Sequence, residues 1–432
     1  MTTKVALRPH LFDRLRRATA GYPRSFWILF WGMLIQNVGI SMVWPFLTIY
    51  IRQRLSVPLT AVTLLFMLNS LAGLASTSLA GPIVDRFGRK GVMVVGLAIS
   101  SVAQAMMSIA GTLPLWGIVM AVSGAVSLLC RVGADAMVAD LIEPDRRAGA
   151  YALLRMGANL GVAIGPSVGG FVTARSYALA FYIAAGAQAI FAMLVLASVG
   201  ETLLQQRTTL DQPQRDGGYG RVLRDRPFLA FCGIYTLPLM TYVQMMVLLP
   251  VYGKENFSVP EHQFGFIMAT NAAMVVLFQY AITHVTRRYR HAPVLAAGAL
   301  FYALGGGSVA WGWNFPTFLV SMIVLTIGEM IMIPTSTALT ANLAPPDMRG
   351  RYMSIYNLTW GVAFGLGPVV GGLLNDHVAP VAMWYGGMAL GLVAAVGFAV
   401  LGRWLKVQGD SADEGAVVVK SERAGDEECS AV

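Results

Sequence analysis

A few residues of this 432-residue chain carry charge where charge is expensive. Glu329 stands in the apolar run Thr326-Ile-Gly328-Glu329-Met-Ile-Met-Ile-Pro334. A lone carboxylate there must be protonated, paired or turned toward water, because a bare charge in hydrocarbon is strongly unfavourable. Taking up a proton on one side of a membrane and releasing it on the other would couple such a group to a proton gradient. Holding a cationic substrate, or a structural hydrogen bond to a neighbouring helix, are its other uses. Arg131 and Asp135 lie four apart, hence on one face of a helix, and Asp140 follows. Opposite charges at that spacing serve equally as a structural pair or as a proton relay. Arg155 also needs a counter-charge, which Asp135 or Glu329 would supply. A separate ordered cluster reads Gly81-Pro-Ile-Val-Asp85-Arg86-Phe-Gly88-Arg89-Lys90. Gly81 would let two helices approach, Gly88 would permit a tight turn, and Asp85 would pair with a cation or cap a helix.

The elements that must hold these groups are membrane helices. Hydrophobic residues make up 56% of the chain and charged residues only 12%, about half the charge of a soluble domain, which runs near 25%. A soluble surface cannot be built from that composition. Apolar runs of spanning length fall at 25–50, 59–83, 91–111, 113–139, 149–173 and 177–199, and again at 228–252, 262–285, 292–313, 315–342, 351–374 and 380–405. The expected fold class is therefore an all-α membrane protein with twelve transmembrane helices in two six-helix, pseudo-symmetric halves. Its parts are an N-terminal segment (1–24), a first half (25–199), a linker (200–227), a second half (228–406) and a disordered tail (407–432). The first run is too long for the apolar core of a cleavable signal. Of the 31 Lys and Arg, Arg52, Arg54, Arg175 and Lys254 fall in odd-numbered loops and Arg131 and Arg155 within spans. All others lie before the first span, in even loops or in the tail, which places both termini in the cytoplasm. The net charge of +9 is thus a topology signal, and no nucleic-acid partner is expected.

The chain repeats itself at an offset of 202: Pro144/Pro346, Asp145/Asp347, Arg147/Arg349, Gly165/Gly367, Pro166/Pro368, Gly169/Gly371 and Gly170/Gly372 coincide. Two related halves suit a carrier that tilts one half against the other around a central site. In the fifth span Gly157, Gly161, Gly165, Pro166, Gly169 and Gly170 recur mostly at four-residue spacing, a packing face that Pro166 would kink. Gln36, Asn37 and Trp44 in the first span, and Tyr235, Tyr242, Gln244 and Met245 in the seventh, are candidates to line an adaptable, mostly apolar cavity; ordinary helix packing is their other use. Cys130, Cys232 and Cys429 are too few and too scattered for a disulfide framework or metal site. Gly305-Gly306-Gly307 lacks the Lys-Ser/Thr of a phosphate loop. No catalytic triad, cofactor or metal is expected, and no enzyme.

The cluster at Gly81–Lys90 closely resembles motif A of the major facilitator superfamily, and the fifth span resembles its motif C, GPxxGG. With the 6+6 layout and the repeat, the resemblance covers residues 25–405. It implies the major facilitator fold, a monomer, and a bacterial inner membrane. It implies that Asp85, Arg86, Arg89 and Lys90 latch the cytoplasmic side, with Asp140 similar to the fourth-span acid that partners motif A. Motif C and the Gly328-Glu329 pair resemble the drug:proton antiporter branch, implying export of lipophilic, often cationic, compounds by alternating access. The chain departs from the family where motif B places an arginine four residues before Gly124-Ala125, because Met120 stands there; Arg131 is the substitute on the same helix. The second copy of motif A, around Thr283, Arg287, Arg288 and Arg290, lacks the aspartate and the glycines. A proton symporter importing a metabolite or peptide, a lipid or lysolipid translocator, and a non-transporting sensor remain as alternatives on the same fold.

Overall fold

The computed structural model describes residues 21–201, 219–345 and 348–404, apart from the side chains of 77–82, 85, 144 and 148. Among the described residues there is no strand, and twelve long helices follow one another. They are α1 (Arg24–Leu55), α2 (Leu59–Phe87), α3 (Arg89–Met106), α4 (Leu113–Leu141), α5 (Pro144–Arg175), α6 (Tyr177–Ser198), α7 (Arg226–Phe257), α8 (Glu261–Thr286), α9 (His291–Trp311), α10 (Phe315–Leu343), α11 (Arg349–His377) and α12 (Ala382–Trp404). All but α3 and α5 are long and apolar enough to cross a membrane by length and composition alone. The exceptions have a visible cause: α3 opens on Arg89-Lys90, and α5 carries Asp145, Arg146, Arg147 and Arg155 among its glycines.

Local chemistry starts and stops these rods. Pro45 falls in a tight 3-10 turn, Trp44–Phe46, inside α1, where the missing proline N–H breaks the regular ladder. Asn314 opens α10 with a capping box, its Oδ1 accepting from Thr317 N while Thr317 Oγ1 accepts from Asn314 N, both at 3.2 Å. Asp225 caps α7 by accepting from Phe228 N at 3.0 Å. By contrast α5 runs as one helix through Pro166, and α10 through Pro334.

By packing, the described residues divide into two compact units. One takes residues up to Val57 together with Leu68–Pro213 and Pro260–Ala269; there α1 lies along α5 and α6, and α3 lies along α4 and α6. Phe26, Leu29, Met93, Leu97, Met137, Phe191 and Val195 fill its centre. The other takes Pro58–Met67, Gln214–Val259 and the residues from Thr270 onward, with α7 along α11 and α9 along α10. The pairings α1–α5 and α7–α11 correspond, as do α3–α4 and α9–α10. The 202-residue offset also carries the first residues of α1, α2, α3 and α4 onto those of α7, α8, α9 and α10.

Lipid gives helices no hydrophobic reason to associate, so close contact through small residues has to supply it. The glycine face of α5 does this against α1: a Cβ on Gly161 would sit 2.6 Å from Asn37 Cβ, and one on Gly165 2.7 Å from Val38 O. Gly170 faces elsewhere, onto the start of α8, where a Cβ would stand 2.9 Å from Glu261 O. Its repeat partner Gly372 packs in the other unit onto the start of α2, 2.6 Å from Thr63 Oγ1 by the same construction. Beside it Asp376 caps α2, accepting from Leu59 N at 3.3 Å and Thr60 N at 2.7 Å. A Gly165→Ala substitution therefore forces α1 and α5 apart and should cost about 1–3 kcal/mol, read as a lower melting midpoint in detergent. Gly91→Ala, where nothing lies within 4 Å, should leave that midpoint unchanged or raise it.

Candidate functional site

Glu329 projects from the middle of α10 into a setting built by four other helices. Asn271 of α8 donates from Nδ2 to Glu329 Oε2 at 2.7 Å, and the same nitrogen reaches Thr326 Oγ1 at 3.0 Å. The Tyr242 hydroxyl of α7 donates a second hydrogen bond to the carboxylate. Both partners are neutral. Tyr242 stands edge-on to Tyr302 of α9, with ring centroids 6.0 Å apart, and to Trp360 of α11 at 5.9 Å. Trp360 stacks in turn on Phe364 at 6.3 Å. Glu329, Tyr242, Trp360 and Phe364 are half-buried, while Tyr302 is fully buried. The approach of α9 depends on the glycine before the acid: a Cβ on Gly328 would lie 2.8 Å from Gly298 O and 3.1 Å from Tyr302 N. The result is a half-buried carboxylate bonded to an amide and to a tyrosine that packs against further aromatic rings, with no cation among its described partners.

Arg89 and Asp140 form the second centre. They make an ion pair between the first turn of α3 and the end of α4, with side chains only 9% and 3% exposed. Arg89 Nη1 also donates to Ala136 O at 3.4 Å. Gly88 precedes α3 with φ +84°, a conformation glycine adopts freely and other residues resist. Glu201 receives the freed backbone donors, accepting from Arg89 N at 3.1 Å and Lys90 N at 3.2 Å. A carboxylate at a helix N-terminus is favoured by the helix dipole. Arg86 is exposed and lies over the Phe87 ring at 5.5 Å. Gly81 and the Asp85 side chain lie outside the described residues.

The remaining sequence candidates are dispersed. Arg131 and Asp135 are exposed on one face of α4 and interact through space, without a direct ion pair among the described contacts. Tyr151 donates to the backbone oxygen of Asp135 at 2.8 Å. Arg155 is exposed on α5, and among the described contacts it pairs with neither Asp135 nor Glu329. Gln36, Asn37 and Trp44 are half-buried, Asn37 donating to Met33 O at 2.7 Å. Tyr235, Gln244 and Met245 are fully buried, so in this conformation they are packing residues and line no accessible surface. The Gln244 amide is committed to Gly367 O at 2.9 Å, and Tyr235 stacks on Tyr356, accepting from its hydroxyl at 3.2 Å.

Asn271, Tyr302, Trp360, Tyr356 and Glu201 are the participants that sequence reasoning missed. Asn271 had a usable signal, an amide in an apolar span at the 202-offset from Asn69, which donates to Met120 O at 2.8 Å. The others join the site only through contacts between distant helices.

The chain matches the family model for the Major Facilitator Superfamily over residues 29–260 and again over 239–422. It is 25% identical over 399 residues to a Na(+), Li(+), K(+)/H(+) antiporter of Planococcus maritimus, covering 84% of this chain and 90% of that one. It is 27% identical over 369 residues to the multidrug resistance protein MdtH of Yersinia enterocolitica, covering 84% and 91%. The fold is shared with the crystal structure of the nucleoside transporter NupG, at a TM-score of 0.73 and 15% identity over 88% of this chain and all of that one. A helical chain with this internal repeat, these spans and this match across both halves belongs to the Major Facilitator Superfamily and is a multi-pass membrane transporter.

Proposed function

We propose that the protein is a proton-coupled antiporter that expels lipophilic, often cationic, compounds by alternating access from the cytoplasmic membrane of a bacterium, as a monomer with both termini in the cytoplasm. The observation that carries this reading is the Glu329 carboxylate held by two neutral donors, Asn271 and Tyr242, the latter packed edge-on against the half-buried Trp360. An ionised carboxylate in a low-dielectric interior needs neutralising. A proton does it, and so does an organic cation seated against Tyr242 and Trp360, whose faces attract cations. Each ligand displaces the other, and the unfavourable state is the empty, ionised one. A site that resists being empty while it changes access is the basis of obligatory exchange.

The relatives support the class: one is described as a multidrug resistance protein, another as a cation/proton antiporter. An alkali cation in place of an organic one is less well served, because hard cations take several oxygen ligands. Here one carboxylate and one hydroxyl are accompanied by an amide that presents its nitrogen. Outward direction rests on the motif C likeness of Gly165, Pro166, Gly169 and Gly170. In the same reading Arg89 and Asp140, with Gly81, Asp85, Arg86, Gly88 and Lys90, form the inner gate.

In proteoliposomes, an imposed pH gradient should drive accumulation of a fluorescent lipophilic cation by the wild type and not by Glu329→Gln. A Gln variant that still concentrates the dye with unchanged proton dependence would refute the coupling. For the gate, Asp140→Asn removes the buried counter-charge of Arg89 and should destabilise by about 3 kcal/mol, whereas the Arg89→Gln, Asp140→Asn double variant should lose less than the sum of the singles. Strictly additive melting shifts in that cycle would show that the pair does not act as a unit.

A further inference from the structure

We infer that the basic corner where α8, α9 and α12 meet is a binding site for the headgroup of an acidic phospholipid, whose chains lie along the exposed face of α8. The inference uses only the membrane reading of the fold and is independent of the exchange proposed at Glu329. It begins from what the repeat does not keep. The first unit balances the charges of the matching corner. Arg89 is paired with Asp140, Glu201 accepts from the first backbone donors of α3, and Asp85 precedes Arg86 in the sequence. At the 202-residue offset none of these acids has a counterpart. Arg287 stands for Asp85, Asn342 for Asp140 and Arg403 for Glu201, while Arg290 stands for Gly88. Where Glu201 caps α3, α9 opens with no side-chain cap.

The fold brings these cations together. A Cβ on Gly402 would stand 2.7 Å from Ala292 Cβ, so the end of α12 lies against the first turn of α9. That contact carries Arg403 to the connection that holds Arg287, Arg288 and Arg290. All four arginines are exposed, and among the described contacts none of them is in an ion pair. Asp225, the acid described at this end of the unit, is engaged by Phe228 N at 3.0 Å and by the Tyr352 hydroxyl at 2.6 Å. Like charges gathered on one short turn repel one another, and an anion from outside the protein relieves that repulsion.

The surroundings say that the anion is a lipid. Leu277, Tyr280, His284 and Arg288 follow one another at three- and four-residue spacing and form one stripe of α8. Tyr280 is 82% exposed and its ring stacks on His284 at 6.3 Å, while Arg288 Nη2 donates to His284 Nε2 at 3.1 Å. At the helical rise this stripe is about 16 Å long, roughly half of a hydrocarbon core of about 30 Å and so the depth of one leaflet. Tyr289 and Trp404, exposed beside the arginines, are ring types that settle at headgroup level. A soluble anion would use the arginines alone. A lipid uses both parts, its phosphate on the arginines and its chains on the stripe, and arginines beside a membrane favour acidic lipids over zwitterionic ones. An acidic peptide, such as the stretch with Asp410, Asp413 and Glu414, matches the charge but not the apolar stripe. In the proposed orientation the lipid belongs to the cytoplasmic leaflet.

The test titrates the full-length protein in detergent micelles with phosphatidylglycerol or phosphatidylcholine and counts bound lipid by native mass spectrometry. One phosphatidylglycerol should bind at least about tenfold more tightly than phosphatidylcholine. Arg288→Gln, Arg290→Gln and Arg403→Gln, each checked for an unchanged melting midpoint, should each weaken that lipid about fivefold. Arg175→Gln, exposed at the end of α5, should not. Glycerol phosphate, the headgroup without chains, should add no mass at the same concentrations, and binding as tight as the lipid's would overturn the part given to α8. Equal binding of the two lipids would overturn the site, as would a preference for phosphatidylglycerol that survives in all three Gln variants. A preference that emerges only after Asp410→Asn, Asp413→Asn and Glu414→Gln are combined would give the corner to that acidic stretch and overturn the lipid assignment.

Discussion

Hydrocarbon offers no partner to a polar group, and most of this molecule follows from that constraint. Backbone donors and acceptors must be satisfied inside each segment, which leaves helices as the spanning element. The chain accordingly builds twelve of them and no strand among its described residues. Because lipid is as apolar as leucine, those helices must be joined by close contact. The glycine face of α5 on α1, Gly328 on α9 and Gly372 on the start of α2 each bring one backbone onto another helix. Where helices end, the orphan donors are met by placed side chains: Asn314 on α10, Asp225 on α7, Asp376 on α2 and Glu201 on α3.

The same constraint separates the two charged centres. Arg89 and Asp140 neutralise one another with both side chains buried. Removing water from two such charges offsets much of their attraction, so the pair is better suited to fixing where α3 meets α4 than to adding stability. Glu329 differs in having only neutral donors. In the proposed exchange, its charge is cancelled by a proton or an organic cation that arrives and departs.

What could be read in the chain follows the range of each signal. Span boundaries were legible to within a few residues, because hydropathy is local and each run is longer than its turns; the turn at Asn314 falls where the residues mark it. Gly88 was legible as a turn glycine and has φ +84°. The Arg89–Asp140 pairing was legible only through resemblance, since the two are far apart in the chain and no periodicity relates them. The surroundings of Glu329 were not legible. Asn271 lies 58 residues before it, Tyr302 and Trp360 sit on other helices, and each reads alone as one more polar or aromatic residue in an apolar run. On α7, Gln244 and Met245 are fully buried in this conformation, because spacing along one helix does not say which face meets a neighbour.

The repeat keeps the scaffold in both copies and the proposed exchange site in one. At the 202-residue offset the scaffold is kept: Gly170 and Gly372 each seat the beginning of another helix, and Asn69 and Asn271 each reach across to a neighbouring span, to Met120 O in one unit and Glu329 in the other. The chemistry is not kept. Ser127 occupies the place of Glu329 and donates to its own helix at Gly124 O, Ile40 that of Tyr242 and Ser100 that of Tyr302. Conversely His291 and Asn342 stand where the first unit has Arg89 and Asp140. Packing positions must match in both halves for each to form the same bundle, whereas the residues around Glu329 are not required by that packing. Duplicating the fold keeps the packing positions in both units, and the asparagine retained in both reaches a backbone oxygen in one and the Glu329 carboxylate in the other.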